Sequence, residues 1–180
     1  MAAYYKDTNK EEACGEMLRL IYTGTFYRNE RDPIEIFKTL RELEIEVEWV
    51  IAGRNDAFVE DLKRFGLLGG KVTYLGYLSY KNSLAIQATR NVLVYLGNRV
   101  QNQVPGKIYG YLGSSKPILA IVQHPCDKVE DLVSKPRRRI VTLNQTSSIK
   151  RSILDLWGLY KEKRLYQSFN LSLEGMEEYS

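Results

Sequence analysis

Histidine occurs once in the 180 residues, at position 124, and cysteine twice, at positions 14 and 126. That scarcity excludes several classes at once. A structural zinc site needs clustered Cys and His ligands, and a disulfide framework needs paired, spaced cysteines. Two distant thiols and one imidazole supply neither, so no metal and no other cofactor is expected. A Ser-His-Asp or Cys-His arrangement would have to use His124. That residue is followed by Pro125 and Cys126 and reads as part of a loop. HExxH, paired-carboxylate, GxGxxG and Walker-type patterns are all missing.

Long hydrophobic runs are missing too: nothing approaches the ~18 consecutive apolar residues of a membrane-spanning helix. The opening stretch MAAYYKDTNKEEACGEM has no basic segment followed by an apolar one, so it does not read as a secretory signal, and a cytoplasmic location is expected. Charge of one sign is scarce as well. Lysine and arginine total 26 against 22 acidic residues, a net +4, too little bias to imply a nucleic-acid partner. The densest basic cluster, Lys135-Pro-Arg-Arg-Arg139, suits either a nucleic-acid patch or a solvated loop guarding an edge strand. The 13 tyrosines alternate with aliphatics and form no spaced stacking platform.

What the chain has is a rhythm. Residues 1–17 are polar and aperiodic, a linker or expression remnant; residues 18–180 read as one domain, with 44 % hydrophobic residues in the whole chain to build a core. Apolar runs ending on glycine or followed by polar loops predict strands at 18–24, 47–53, 71–76, 91–96, 116–122 and 139–143. Helical spacing predicts helices between them: from Pro33, with Asp32 as N-cap, then over 57–65, 80–88, 106–113 and 127–134. From Thr146 the chain reads as helical to near its end, broken near Gly158 and again at Phe169–Asn170. Unalternated apolar strands separated by helices mean βαβ units. The expected fold is α/β, a three-layer Rossmann-like domain whose six-stranded parallel sheet carries helices on both faces.

Ligands of such a sheet sit beyond the carboxyl ends of the strands. Three of these strands end on glycine, at Gly24, Gly53 and Gly76. Glycine serves a tight turn or a close ligand approach equally. The loop from Gly24 to Pro33 carries Arg28 and Arg31, which suit an anion at a helix start or surface pairs with Glu30 and Asp32. After the fourth strand, Pro105-Gly106 opens a helix with Lys107 near its first turn. A cation is unfavourable there unless a phosphate is bound or the side chain is simply solvated.

Val104-Pro-Gly-Lys-Ile-Tyr-Gly-Tyr-Leu-Gly-Ser-Ser-Lys-Pro-Ile-Leu-Ala120 resembles the Pro-x-Lys segment of group 1 (family 4) glycosyltransferases of GT-B fold. Ile21-Tyr-Thr-Gly-Thr-Phe-Tyr-Arg-Asn-Glu-Arg-Asp-Pro33 is similar to their first loop. Trp49-Val-Ile-Ala-Gly53 and Val72-Thr-Tyr-Leu-Gly-Tyr-Leu78 resemble their second and third strand ends. The matches run in order over about residues 18–175.

The resemblance implies the C-terminal half of a GT-B fold, which binds a nucleoside diphosphate sugar while a separate N-terminal domain binds the acceptor. It places the donor diphosphate between Gly24, Thr25, Arg28 and Arg31 on one side and Lys107, Ile108 and Tyr109 on the other. The base then lies by Arg54, Tyr77 and Leu78. Arg28, Arg31 and Lys107 become the groups that stabilise the leaving diphosphate in retaining sugar transfer, in a polysaccharide-forming setting that allows peripheral membrane association of the full-length enzyme. The lone domain is expected to be inactive. The chain departs from the family where a ribose-binding Glu maps to Gly110 and a second Glu to Asn102, and Ser115 stands for a glycine. A non-catalytic scaffold with a degenerate site, and half of a nucleotide-sugar 2-epimerase, are the alternatives. The helix expected at Asn170–Tyr179 would cross back toward the acceptor domain.

Overall fold

β-Branched and aliphatic runs form six strands: β1 (Leu18–Thr23), β2 (Val47–Ala52), β3 (Val72–Tyr74), β4 (Val92–Leu96), β5 (Ile118–Val122) and β6 (Arg139–Leu143). The computed structural model describes residues 15–100, 106–125, 139–169 and 171. All pairings within the sheet are parallel, and the order is β3-β2-β1-β4-β5-β6. β1 and β2 pair along their full length, from Leu18 opposite Val47 to Thr23 opposite Ala52.

Helices α1 (Ile34–Glu42), α2 (Val59–Arg64), α3 (Tyr80–Ala88), α4 (Lys107–Leu112) and α5 (Thr146–Lys161) connect or follow these strands, with a 3₁₀ turn (Asp56–Phe58) leading into α2. The strand pleat sorts the core into two clusters. Leu18, Leu20, Tyr22, Trp49 and Ile51 point to the face covered by α1, α2 and α5. Ile21, Val50, Leu93, Tyr95 and Ala120 point to the opposite face, where α4 brings Ile108, Tyr111 and Leu112 and α3 brings Ile86. Helices therefore cover both faces, which is why the strands carry no polar side.

The start of α1 differs from expectation by one residue. Pro33 stands at the cap position, yet the Asp32 carboxylate accepts the Ile34 amide at 3.1 Å, one of the amides the first turn leaves open. The expected break at Gly158 does not occur, and α5 runs on to Lys161. Gly158 lies on the exposed side, while Ile149, Ile153, Leu156 and Tyr160 bury a continuous stripe on α1 and the sheet. That burial outweighs the ~1 kcal/mol helix penalty of one glycine. The helices expected at 127–134 and 170–179 lie outside the described residues.

One aromatic group fixes the region that matters for function. Phe26, in the loop after β1, stacks on Tyr22 with centroids 4.5 Å apart and meets Phe58 edge-on at 5.5 Å. Phe37 closes the cluster against Trp49 at 6.1 Å. Burying Phe26 to 3 % exposure pins the loop to the core. Aromatic anchors of this size are worth about 3–5 kcal/mol each.

Candidate functional site

The sheet changes direction of growth between β1 and β4. From β1 the chain builds outward through β2 to β3; it then returns to β4 on the other side and continues to β6. The loops after β1 and β4 therefore diverge and leave a crevice at the carboxyl edge.

Two glycines let backbone close over that crevice. Gly53 (φ +144°) sits so near the first loop that a Cβ there would overlap Gly24 O and lie 2.7 Å from Gly24 C. Gly24 (φ +154°) has the Lys107 ammonium where its own Cβ would stand. Asn55 locks the two loops together. Its amide nitrogen donates to Gly24 O at 2.8 Å, and its carbonyl oxygen accepts the Phe26 amide at 2.6 Å. Its own backbone N–H donates to the Tyr74 hydroxyl at 3.0 Å.

The result is a cleft of about 680 Å³ over the ends of β1 and β2, walled by α3 and α4. Its volume falls in the range of small-molecule sites. Thr23, Gln87 and Tyr111 contribute polar groups to its lining and bond to one another: Gln87 Nε2 donates to Thr23 Oγ1 at 3.0 Å, and the Thr23 and Tyr111 hydroxyls lie 3.1 Å apart. Tyr77 and Tyr80 project at the mouth, 69 % and 72 % exposed, with the Arg54 guanidinium 5.2 Å from the Tyr77 ring centre.

Lys107 is the electrostatic centre. Its Nζ lies 5.2 Å from the Tyr22 ring centre, and no carboxylate among the described residues pairs with it. Burial first, and then the charge of Arg31, bring its pKa down from 10.5 to about 8. Arg31 acts on the Tyr22 hydroxyl, which donates to Thr25 O at 3.2 Å and whose pKa is pushed up by burial, and its guanidinium lies 4.9 Å from the Tyr27 ring centre. The Arg31 Nε is buried without a hydrogen-bond partner. Two neighbouring cations, both partly removed from water and lacking a carboxylate, are unfavourable by themselves. An anion between them would relieve both.

The expected site residues divide into two sets. Gly24, Thr25, Arg54, Tyr77, Leu78, Lys107 and Gly110 all line the cleft, although they come from four separate chain segments. Arg31 is not a lining residue and acts on the cleft through its charge beside Lys107. Arg28 points elsewhere: its guanidinium pairs with Asp61 and lies 4.6 Å from the Phe58 ring centre. Asp61, 33 residues along the chain on α2, is the partner rather than Glu30 or Asp32. Helical period separates the α4 residues. Lys107, Gly110 and Tyr111 share the cleft face, whereas Ile108 is wholly buried under the sheet and Tyr109 lies off the cleft. His124 donates from Nε2 to Arg99 O at 3.1 Å and does not line the cleft. Asn102 lies outside the described residues.

Sequence reasoning missed Tyr80, Ser83, Leu84 and Gln87, which line the cleft from α3. Their spacing of three, four and seven is one helical face, a signal that was present but pointed to no chemistry. It also missed Thr23 and Tyr111, whose pairing across 88 residues has no local signature. Among the described residues no cluster of three or more His, Cys, Asp or Glu could hold a metal ion, and no helix is long and apolar enough to cross a membrane.

No protein-family model matches the chain, and no curated protein matches it in sequence. Solved structures do match in fold. HepE of Anabaena, determined with UDP and glucose, superposes with a TM-score of 0.67 at 14 % identity, over 94 % of this chain and 48 % of that one. The C-terminal domain of the group 1 glycosyltransferase LpcC from Francisella tularensis gives 0.63 at 13 % identity, over 93 % of this chain and 91 % of that domain. A UDP-N-acetylglucosamine 2-epimerase from Listeria monocytogenes gives 0.61 at 15 % identity, over 87 % of this chain and 41 % of that one. The fold is that of the C-terminal half of GT-B proteins, and the chain spans about half the length of the full-length proteins it matches.

Proposed function

We propose that this chain binds a nucleoside diphosphate sugar and is the donor half of a retaining glycosyltransferase. The observation that carries the reading is the Lys107 ammonium, partly buried at the switch of the sheet beside Arg31 with no carboxylate partner among the described residues. A diphosphate supplies the missing negative charge, and the cleft volume suits a nucleotide. The rim of Tyr77, Tyr80 and Arg54 offers flat surfaces for a base. That HepE, about half of which shares this fold, was determined in complex with UDP supports the choice of nucleotide over other anions.

In transfer, an acceptor hydroxyl oxygen bonds to the anomeric carbon and its proton leaves with the diphosphate. The bond from the anomeric carbon to the diphosphate oxygen breaks, and negative charge grows on the leaving oxygens. Lys107 and Arg31, fixed before the reaction, stabilise that charge without reorganising. The proposed enzyme is cytoplasmic and metal-free, its protein cations carrying the electrostatic role that a divalent ion has in other diphosphate sites. The acceptor would be held by a second domain across the cleft, so the chain alone is expected to bind but not to turn over. An epimerase-type reaction is less well supported, because the described lining holds neither carboxylate nor imidazole to move a proton at a sugar carbon.

Titrating the 15N-labelled chain with UDP, GDP and UDP-glucose tests the reading. Shifts are expected at Gly24, Thr25, Lys107 and Gly110. No response at these four positions at millimolar nucleotide would overturn it.

A further inference from the structure

Asn55 follows the end of β2 and is a polar side chain in the core, 3 % exposed. A buried amide has to place both a donor and an acceptor. Asn55 finds both partners in one loop: its Nδ2 donates to Gly24 O at 2.8 Å and its Oδ1 accepts the Phe26 N–H at 2.6 Å. One partner can only accept and the other can only donate, so the amide stands one way round. Its own backbone is held as well, the N–H by the Tyr74 hydroxyl at 3.0 Å and the carbonyl by the Phe58 N–H at 2.9 Å.

The two side-chain bonds flank Thr25 and fix where its peptide groups point. No cis peptide bond occurs among the described residues. In a trans peptide the C=O and the N–H point opposite ways. Gly24 C=O points at Asn55, so the Thr25 N–H points away from Asn55. Phe26 N–H points at Asn55, so the Thr25 C=O points away too, and it meets the Tyr22 hydroxyl at 3.2 Å. The Thr25 N–H leaves on that same side, and among the described residues no acceptor meets it. The cations stand there also. A Cβ built on Gly24 would lie 3.0 Å from the Tyr22 hydroxyl oxygen and overlap the Lys107 ammonium. Thr25 itself lines the cleft.

We propose that Asn55 is a positioning residue of the anion site: by gripping the peptide groups on both sides of Thr25, it aims the Thr25 backbone N–H at the phosphate that Lys107 attracts. The inference rests on the nucleoside diphosphate reading above and adds to it a neutral donor and the side chain that sets it. The donor is fixed when the chain folds, so the ligand does not have to order it.

The unmodified, 15N-labelled chain tests the donor with UDP-glucose as probe. The Thr25 amide proton is expected to move downfield by more than that of Phe26, which stays on Asn55. A Thr25 proton that does not move downfield while Lys107 and Gly110 respond would overturn the inference and leave the nucleotide site intact. No response anywhere in the cleft at millimolar UDP-glucose would overturn the nucleotide reading and this inference with it.

Calorimetry on two variants tests the positioning. Asn55→Ala frees the loop and is expected to bind UDP-glucose about tenfold more weakly, the factor for leaving the backbone of one residue unordered. Asn55→Asp separates aiming from packing. At about pH 7 its carboxylate accepts the Phe26 N–H but has nothing to donate to Gly24 O, so a loss of about tenfold or more is expected. At about pH 4.5 the protonated carboxyl again offers one donor and one acceptor, a form favoured by burial and by the facing carbonyl. The loss relative to the unmodified chain at the same pH is then expected to shrink to about threefold, while that of Asn55→Ala stays constant. A merely structural Asn55 would lower Tm in both variants and leave the affinity of the folded chain and its pH profile unmoved. A folded Asn55→Ala within about twofold of the unmodified chain, or an Asn55→Asp loss equal at both pH values, would overturn the inference. The Thr25 shift decides the matter if neither variant folds.

Discussion

Replacing Lys107 with methionine is expected to make the unliganded protein more stable and a worse nucleotide binder. Methionine keeps the unbranched stem that packs near Tyr22 and removes the ammonium. The charged form of Lys107 is disfavoured in the fold, because burial and Arg31 bring its pKa from 10.5 to about 8. Each tenfold change in proton affinity is about 1.4 kcal/mol. Carrying the charge at pH 7 therefore costs the folded state at most about 3 kcal/mol, and solvent reaching the partly exposed group reduces this to about 1–2 kcal/mol. For a domain of this size that corresponds to a rise in Tm of about 2–8 °C in the variant.

The sign with pH follows from the same shift. Below pH 8 the lysine is charged in both folded and unfolded chains, so the penalty is at its full value. Between about 8 and 10.5 the unfolded chain binds more protons than the folded one, and the penalty fades as pH rises. The difference in Tm between variant and unmodified chain should shrink to about a quarter of its neutral value at pH 10. Losing a charge-assisted bond to phosphate should weaken UDP binding by about 10- to 100-fold. Thermal melts at pH 7 and pH 10, with calorimetry at pH 7, read all three effects. A fall in Tm in the variant, or unchanged UDP affinity, would refute the argument that Lys107 is held at the expense of stability to bind an anion.

Arg31→Ala should weaken UDP binding at least tenfold, whereas Arg28→Ala should leave it within about twofold, because Arg28 is committed to Asp61; equal effects in a titration of both variants would contradict the geometry. Gly53→Ala forces a methyl into Gly24 O at a φ of +144°, so a loss of about 3 kcal/mol or more is expected in urea unfolding, and a loss below 1 kcal/mol would show that the two loops can part.

Much of the fold was legible because local rules decided it. The apolar runs at 18–23 and 47–52 could be nothing but strands buried on both faces, and α3 falls on the expected residues 80–88. β3 was read too long, at 71–76. Lys71 instead donates its ammonium to the carbonyls of Leu40 and Leu43, ending α1 across the sheet. The chain after Tyr74 turns away to reach α3. Neither contact has a local signal. The α4 residues show the same limit at the site. A motif names four consecutive positions, 107 to 110, but a helix can turn only some of them toward one cleft. Ile108 goes to the core because the opposite face of the sheet needs an apolar cover.

By itself the sequence determined a parallel α/β domain and pointed to a candidate site at its carboxyl edge with the glycines and cations around it, since periodicity and loop chemistry are properties of neighbours in the chain. The tertiary structure decided which cations gather at the cleft without a carboxylate and which are neutralised. Arg28 and Arg31 are three residues apart in one loop, yet α2 brings Asp61 to the first and β1 and α4 bring Tyr22 and Lys107 to the second. Charge acts through space and burial, and both are fixed only when distant segments pack.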